Sequence, residues 1–81
     1  MMRRLNEISK GKNQFGLKVV EELYVFGKNQ TWLAEQCGVS RQYISQIING
    51  QFKPSPLMTQ KIADVLNLDV YELRRLVLRA S

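Results

Sequence analysis

The 81-residue sequence contains no histidine and a single cysteine, Cys37. One cysteine cannot form an internal disulfide, which excludes the class of small disulfide-stabilised secreted domains. The shortage of His and Cys ligands argues against a structural zinc site, and neither a Ser-His nor a Cys-His catalytic pair can be built. The sequence also lacks a glycine-rich phosphate loop, so we expect no enzyme activity, no metal and no cofactor.

Long apolar runs are absent as well. The longest, from Leu23 to Phe26, has four residues, whereas a membrane-spanning helix needs about 20. The basic N-terminus is not followed by an apolar run, which argues against a secretory signal. We therefore expect a cytoplasmic protein with no membrane partner. A hydrophobic content of 44% is enough for the core of one small domain.

Acidic residues are missing from one long interval, between Glu35 and Asp64. That interval carries three Lys or Arg residues, and residues 1–18 carry five basic residues against one acidic residue. The net charge of the chain is +5. This placement favours a polyanionic partner, most simply nucleic acid. The alternative is an ordinary solvated surface.

Apolar spacing and capping residues predict an all-α fold of five short helices with no strand. The predicted helices span 15–26, 30–37, 41–49 and 56–66, and a fifth begins after Asp69. Their predicted boundary residues are Gly27, Asn29, Gly38, Ser40, Asn49-Gly50, Ser55-Pro56, Asn67 and an Asp69/Glu72 capping box.

Residues 30–50 follow the helix-turn-helix plan, in which two helices of about two turns are joined by a short turn containing glycine. The side chain at residue 34 must be small, as that of Ala34 is, because the second helix is predicted to cross close to it. Gly38 can adopt the positive φ of a tight turn. Val39, Ile44 and Ile47 are predicted to hold both helices on the core.

The second of these helices, 41–49, has two chemically distinct faces. One is apolar, with Tyr43, Ile44, Ile47 and Ile48. The other carries only guanidinium, amide and hydroxyl groups, which match the hydrogen-bonding edges of bases. We predict that Arg41, Gln42, Ser45 and Gln46 read bases, the alternative being a solvated face, which would usually contain Glu and Lys.

The sequence resembles the lambda-repressor/Cro (Xre-type) helix-turn-helix family from about Phe15 to Leu73. The matching residues are Gln30, Leu33-Ala34-Glu35, Gly38-Val39-Ser40, Ile44-Ser45-Gln46-Ile47, Asn49-Gly50, Pro54, 62–66 and 68–73. The resemblance implies a five-helix domain at 15–73. The polar and basic residues 1–14 are expected to form an arm or a loosely held first turn, and residues 74–81 are expected to be the end of helix 5. The resemblance also implies a homodimer on a pseudo-palindromic double-stranded DNA operator.

The resemblance further implies contacts to the DNA backbone. Gln30 matches a family glutamine that contacts phosphate and braces the recognition helix, and the start of helix 2 can offer N–H groups to phosphate. The full set of expected backbone contacts is Asn29, Gln30, Thr31, Ser40, Tyr43, Asn49 and Lys53.

The sequence departs from the family pattern near helix 2, where Lys28, Asn29 and Trp32 replace an apolar residue, a Thr cap and a Glu. Asn29 still caps the helix. Trp32 is expected either to pack against helix 1 or the arm, or to contact a partner or the DNA flank. Ile48 replaces a commonly polar residue and is expected to pack on the following loop.

Other residues allow two interpretations. Cys37 is expected to be a buried thiol rather than a reactive one. The arm either follows the minor groove or is a solvated terminus. Three arginines near the end of helix 5, Arg74, Arg75 and Arg79, suit its negative dipole end. The excess apolar surface of helix 5, at Tyr71, Val77 and Leu78, is the candidate dimer contact.

The sequence therefore predicts a Cro-like repressor that reads the major groove. Its brevity favours a stand-alone protein of a phage or mobile element, located in the cytoplasm and on the nucleoid when bound. The alternative is a protein-interaction module of the same fold, an antirepressor or an antitoxin-like partner. Trp32 and the apolar tail motivate that alternative.

Overall fold

The computed structural model describes residues 14–79, and over that range it consists of five α-helices without a strand. The all-α prediction is confirmed. The helices are α1 (Gln14–Phe26), α2 (Gln30–Cys37), α3 (Arg41–Ile48), α4 (Pro56–Leu66) and α5 (Val70–Arg79). The predicted arm lies outside the described residues, apart from its last residue, Gln14.

Three helices begin at the predicted capping residues. The side-chain oxygens of Asn29, Ser40 and Ser55 accept the backbone N–H of the third residue of α2, α3 and α4, at 2.9, 3.0 and 3.1 Å. Each bond satisfies one N–H that has no partner within its helix. Asp69 also caps α5, but its carboxylate accepts from Tyr71, at 2.8 Å, rather than from the N–H that a capping box uses.

The predicted helix ends are confirmed within one residue. Gly27, Gly38 and Asn67 adopt left-handed φ values of 68°, 72° and 57°, which turn the chain into the next helix. The third helix ends at Ile48, one residue earlier than predicted, and Asn49 is its C-cap.

The core lies where the five helices meet. The α2 helix packs against α3 and α4, α1 packs against α3 and α5, and α4 packs against α5. The apolar residues that α1 buries are Phe15, Val19 and Leu23, whereas Phe26, the last residue of the helix, is 41% exposed. The other buried apolar residues are Leu33, Ala34, Cys37, Ile44, Ile47, Ile48, Met58, Ile62, Ala63, Leu66 and Leu73.

None of the helices described here is both long and apolar enough to cross a bilayer. Within the same part of the chain, no three His, Cys, Asp or Glu side chains gather as a metal site would require.

Candidate nucleic-acid interface

The α2–α3 turn is fixed by backbone hydrogen bonds. The N–H groups of Gly38 and Val39 donate to the carbonyls of Glu35 and Ala34, at 3.3 and 3.0 Å. Gly38 takes the predicted positive φ, and Ala34 is only 3% exposed. The turn and the small residue together hold α3 tightly on α2.

The apolar face of α3 docks as predicted. Ile44, Ile47 and Ile48 are each 1% exposed, and Tyr43 is half-buried. The backbone of Ile48 lies against Gly16 of α1. The expected packing of the Ile48 side chain on the following loop stays a prediction.

The polar face of α3 is accessible. Arg41, Gln42 and Asn49 are exposed, while Ser45 and Gln46 are half-buried. On this face, exposure is highest in the first turn and at Asn49 and lower in the middle, at Ser45 and Gln46. The first turn of α3 is therefore free to approach a ligand, followed by Ser45 and Gln46.

The N-termini of the described helices differ in whether they carry a carboxylate. The first turns of α2, α3 and α4 lack acidic residues, and their caps are neutral, whereas α5 has Asp69 and Glu72 at its start. A helix N-terminus bears a partial positive charge, which an acidic residue usually neutralises. Arg41, the first residue of α3, adds a full positive charge where the dipole disfavours one. An anion would relieve this repulsion.

The expected backbone contacts differ in accessibility. Thr31, Ser40 and Lys53 are exposed, as are Asn29 and Asn49, while Gln30 and Tyr43 are half-buried. Within residues 14–79, the Oε1 atom of Gln30 is buried and has no hydrogen-bond partner. Such a desolvated acceptor costs about 1–3 kcal/mol.

A family model described as helix-turn-helix matches residues 26–73, which is more than half of the chain and includes α2, α3 and α4. The chain belongs to the lambda-repressor/Cro-type helix-turn-helix family. This family comprises DNA-binding regulators.

A curated relative of this helix-turn-helix protein comes from Bacillus phage phi105 and is named "ImmF control region 10 kDa protein". The two are 42% identical over 45 residues, which cover 56% of this chain and 50% of the relative. The chain thus spans about half the length of the curated relative it matches. No solved structure matches the chain significantly.

Trp32, the departure from the family pattern, packs inward. Its side chain is half-buried against the core, and the Lys28 Nζ lies 5.5 Å from the centre of its ring. An ammonium at that distance attracts the negative face of an indole. Trp32 therefore packs in part on the core, while the expected contact with helix 1 or the arm stays a prediction.

Cys37 is buried at the end of α2, as expected. Burial raises the pKa of its thiol because the thiolate would lose hydration, and the nearby Lys61 ammonium partly opposes this effect. A thiol in this environment is a poor nucleophile.

The candidate dimer residues lie on α5. Tyr71 is 70% exposed, and Val77 is half-buried beside a surface cavity of about 230 Å³. Pro54, Pro56, Thr59 and Arg74 also line this cavity. Leu78 belongs to α5, but its side chain lies outside the described residues.

Gly16 was missed in the sequence interpretation. It is buried in α1, where a Cβ would overlap the carbonyl oxygen of Ile48. The available signal was a glycine near the start of an otherwise regular helix, which costs about 1 kcal/mol relative to alanine and so needs a packing reason.

Proposed function

We propose that this protein is a sequence-specific transcriptional regulator, a Cro-like repressor that inserts α3 into the major groove of double-stranded DNA. The observation that carries the proposal is the division of α3. Its isoleucine face is buried and fixes the helix, while its exposed face offers hydrogen-bonding groups and one cation without a carboxylate. A carboxylate-free face suits approach to a polyanion.

Phosphate groups position the protein in this proposal. The N-termini of α2 and α3 offer backbone N–H groups and partial positive charge to phosphate oxygens. Ser40 accepts a hydrogen bond as the α3 cap, which leaves its hydroxyl hydrogen free to be donated. Asn29, Thr31 and Lys53 are exposed and supply further donors.

Gln30 links the two helices in the proposed complex. Its amide NH₂ would donate to a phosphate, while its buried Oε1 would accept from a donor on the recognition helix. The absence of a partner for Oε1 within the described residues supports this role, because buried polar groups normally have one. Tyr43 and Asn49 complete the proposed backbone contacts.

Base reading would belong to Arg41, Gln42, Ser45 and Gln46. An arginine binds guanine O6 and N7 through two hydrogen bonds, and a glutamine binds adenine N6 and N7 in the same way. Arg41 and Gln46 are separated by about 7.5 Å along the helix axis, which corresponds to about two base-pair steps.

Two copies would bind one operator. Tyr71, Val77 and Leu78 of α5 are the proposed dimer contact, supported by the exposure of the Tyr71 ring. A two-fold dimer would place its α3 helices in successive major grooves, about 34 Å apart, on a pseudo-palindromic site. Such a dimer over a promoter excludes polymerase, and the phage relative's "control region" name is in keeping with this role.

The decisive experiment is selection of binding sites from a random duplex pool, followed by two variants. Arg41→Ala should lose about 1–3 kcal/mol on the selected site and little on random DNA. Lys53→Ala is the matched control, since loss of a phosphate contact weakens both DNAs and lowers the salt slope by about 1. Equal losses on both DNAs for R41A would refute base reading.

A protein-interaction module is the second candidate function. Tyr24 and Val25 on α1 are 86% and 73% exposed, beside a groove of about 250 Å³ between α1 and the start of α2. Binding to duplex DNA measured against salt separates the two functions. A DNA binder loses affinity steeply as salt rises, whereas no binding at low salt would favour the interaction module.

A further inference from the structure

The backbones of α1 and α3 touch at Gly16. A Cβ at this position would overlap the carbonyl oxygen of Ile48 and lie 2.9 Å from its carbonyl carbon and 3.1 Å from its Cα. All three atoms belong to the backbone, so no side-chain rotation can make room. Any side chain at residue 16 must therefore push the two helices apart.

The glycine is not needed for the conformation of α1 itself. Gly27 and Gly38 have positive φ, whereas Gly16 lies within a regular helix. Alanine there would favour the isolated helix by about 0.8–1.0 kcal/mol. The close approach to α3 is thus the reason for glycine.

The contact lies at the end of α3 that the helix-turn-helix turn does not hold. The turn fixes the beginning of α3 through the Val39 N–H and the Ala34 carbonyl. Ile48 is the last residue of α3, and α1 supports it. The tilt of α3 therefore depends on both contacts, one of which lies outside the helix-turn-helix.

We propose that Gly16 is a positioning residue for the recognition helix, setting its tilt and thereby its sequence discrimination. The inference rests on the proposed reading of bases by α3. A methyl group at residue 16 would displace the end of α3 and pivot the helix about its first turn. Ser45 and Gln46 would then move further than Arg41. Recognition groups must be held within about 0.5 Å of their working geometry.

The test compares Gly16→Ala with Gly27→Ala. At Gly27 a Cβ meets nothing within 4 Å, but φ is +68°, so alanine lowers stability without moving α3. Dissociation constants are measured on the selected operator and on random duplex, with thermal unfolding in parallel. G16A should lose operator affinity on the order of tenfold or more, as for one bidentate contact, and should lose less affinity for random duplex, where only the proposed Asn49 phosphate contact is affected. G27A should lower Tm but keep the wild-type ratio of operator affinity to random-duplex affinity.

The location of the defect gives a second readout. The second readout is the affinity for operators that each carry one base-pair change. G16A should lose discrimination at the base pairs where Gln46→Ala loses it, and should keep discrimination at the base pairs where Arg41→Ala loses it. A change in stability alone would not select particular base pairs. Uniform flattening would overturn the pivot and, with it, the positioning role.

If G16A alone does not fold, Asn67→Gly is added to stabilise it. Asn67 lies outside α1 and α3 at φ 57°, a conformation that glycine adopts without strain. If G16A/N67G is still unfolded, Gly16 is a folding residue and the inference is wrong. If G16A keeps the wild-type ratio of operator affinity to random-duplex affinity, this inference alone is overturned. A wild-type protein that selects no site overturns the proposed function and the inference together.

Discussion

The cap of α3, the proposed recognition helix, allows an effect on stability to be separated from an effect on DNA binding. Ser40 Oγ accepts the Tyr43 N–H at 3.0 Å, and Ser55 Oγ accepts the Met58 N–H at 3.1 Å. The two caps are chemically equivalent, but one begins α3 and the other α4. Replacement of either serine by alanine should cost about 1 kcal/mol. For a domain of this size, that loss lowers Tm by about 4–8 °C.

The DNA assay should distinguish the two variants. Ser40→Ala removes the cap of the recognition helix and a proposed phosphate donor, so its affinity for the selected operator should fall. Ser55→Ala should keep wild-type affinity at a temperature where both variants are folded. Ser40→Gly refines the comparison, because glycine at a cap costs only a few tenths of a kcal/mol but still removes the hydroxyl.

Thermal unfolding followed by circular dichroism and fluorescence anisotropy with labelled duplexes provide the measurements. An unchanged Tm for both alanine variants would show that these caps do not stabilise the fold. If S55A lost as much operator affinity as S40A, the loss of affinity would result from lower domain stability and not from the changed start of α3. In that case, the assignment of α3 as the reading helix would be refuted.

Three further predictions concern the core, the thiol and the dimer. Ala34→Leu should overpack the α2–α3 crossing and destabilise the domain by about 1–3 kcal/mol, and an unchanged Tm would contradict the tight crossing. Burial raises the pKa of the Cys37 thiol. The stability that the buried neutral thiol contributes is therefore complete below the unfolded thiol's pKa of about 8.5, and it is lost as the pH rises through the pKa of the folded state. Unfolding free energies of Cys37→Ala should therefore lack this alkaline decline, and identical pH profiles would contradict it. Tyr71→Ala and deletion of residues 76–81 should each weaken self-association in sedimentation experiments, whereas an unaltered oligomer would place the dimer contact elsewhere.

The sequence alone determined the helices, their caps and the family. Asn29, Ser40 and Ser55 act as caps because this role depends on a side chain and an N–H three residues away. The left-handed turn at Gly38 is equally local. The two faces of α3 could be predicted as well, since helical periodicity places every third or fourth residue together.

Only the tertiary structure decided how the helices meet. The backbone of Ile48, at the end of α3, lies against Gly16, a residue 32 positions earlier in the chain. Two further features depend on tertiary structure: the oxygen of Gln30, which has no partner among residues 14–79, and the Lys28 ammonium beside Trp32. Local patterns repeat along one helix axis, whereas a crossing depends on the shapes of two helices at a single point. The sequence therefore pointed to α3 as the candidate reading helix, and only the structure showed that α1 contacts its end.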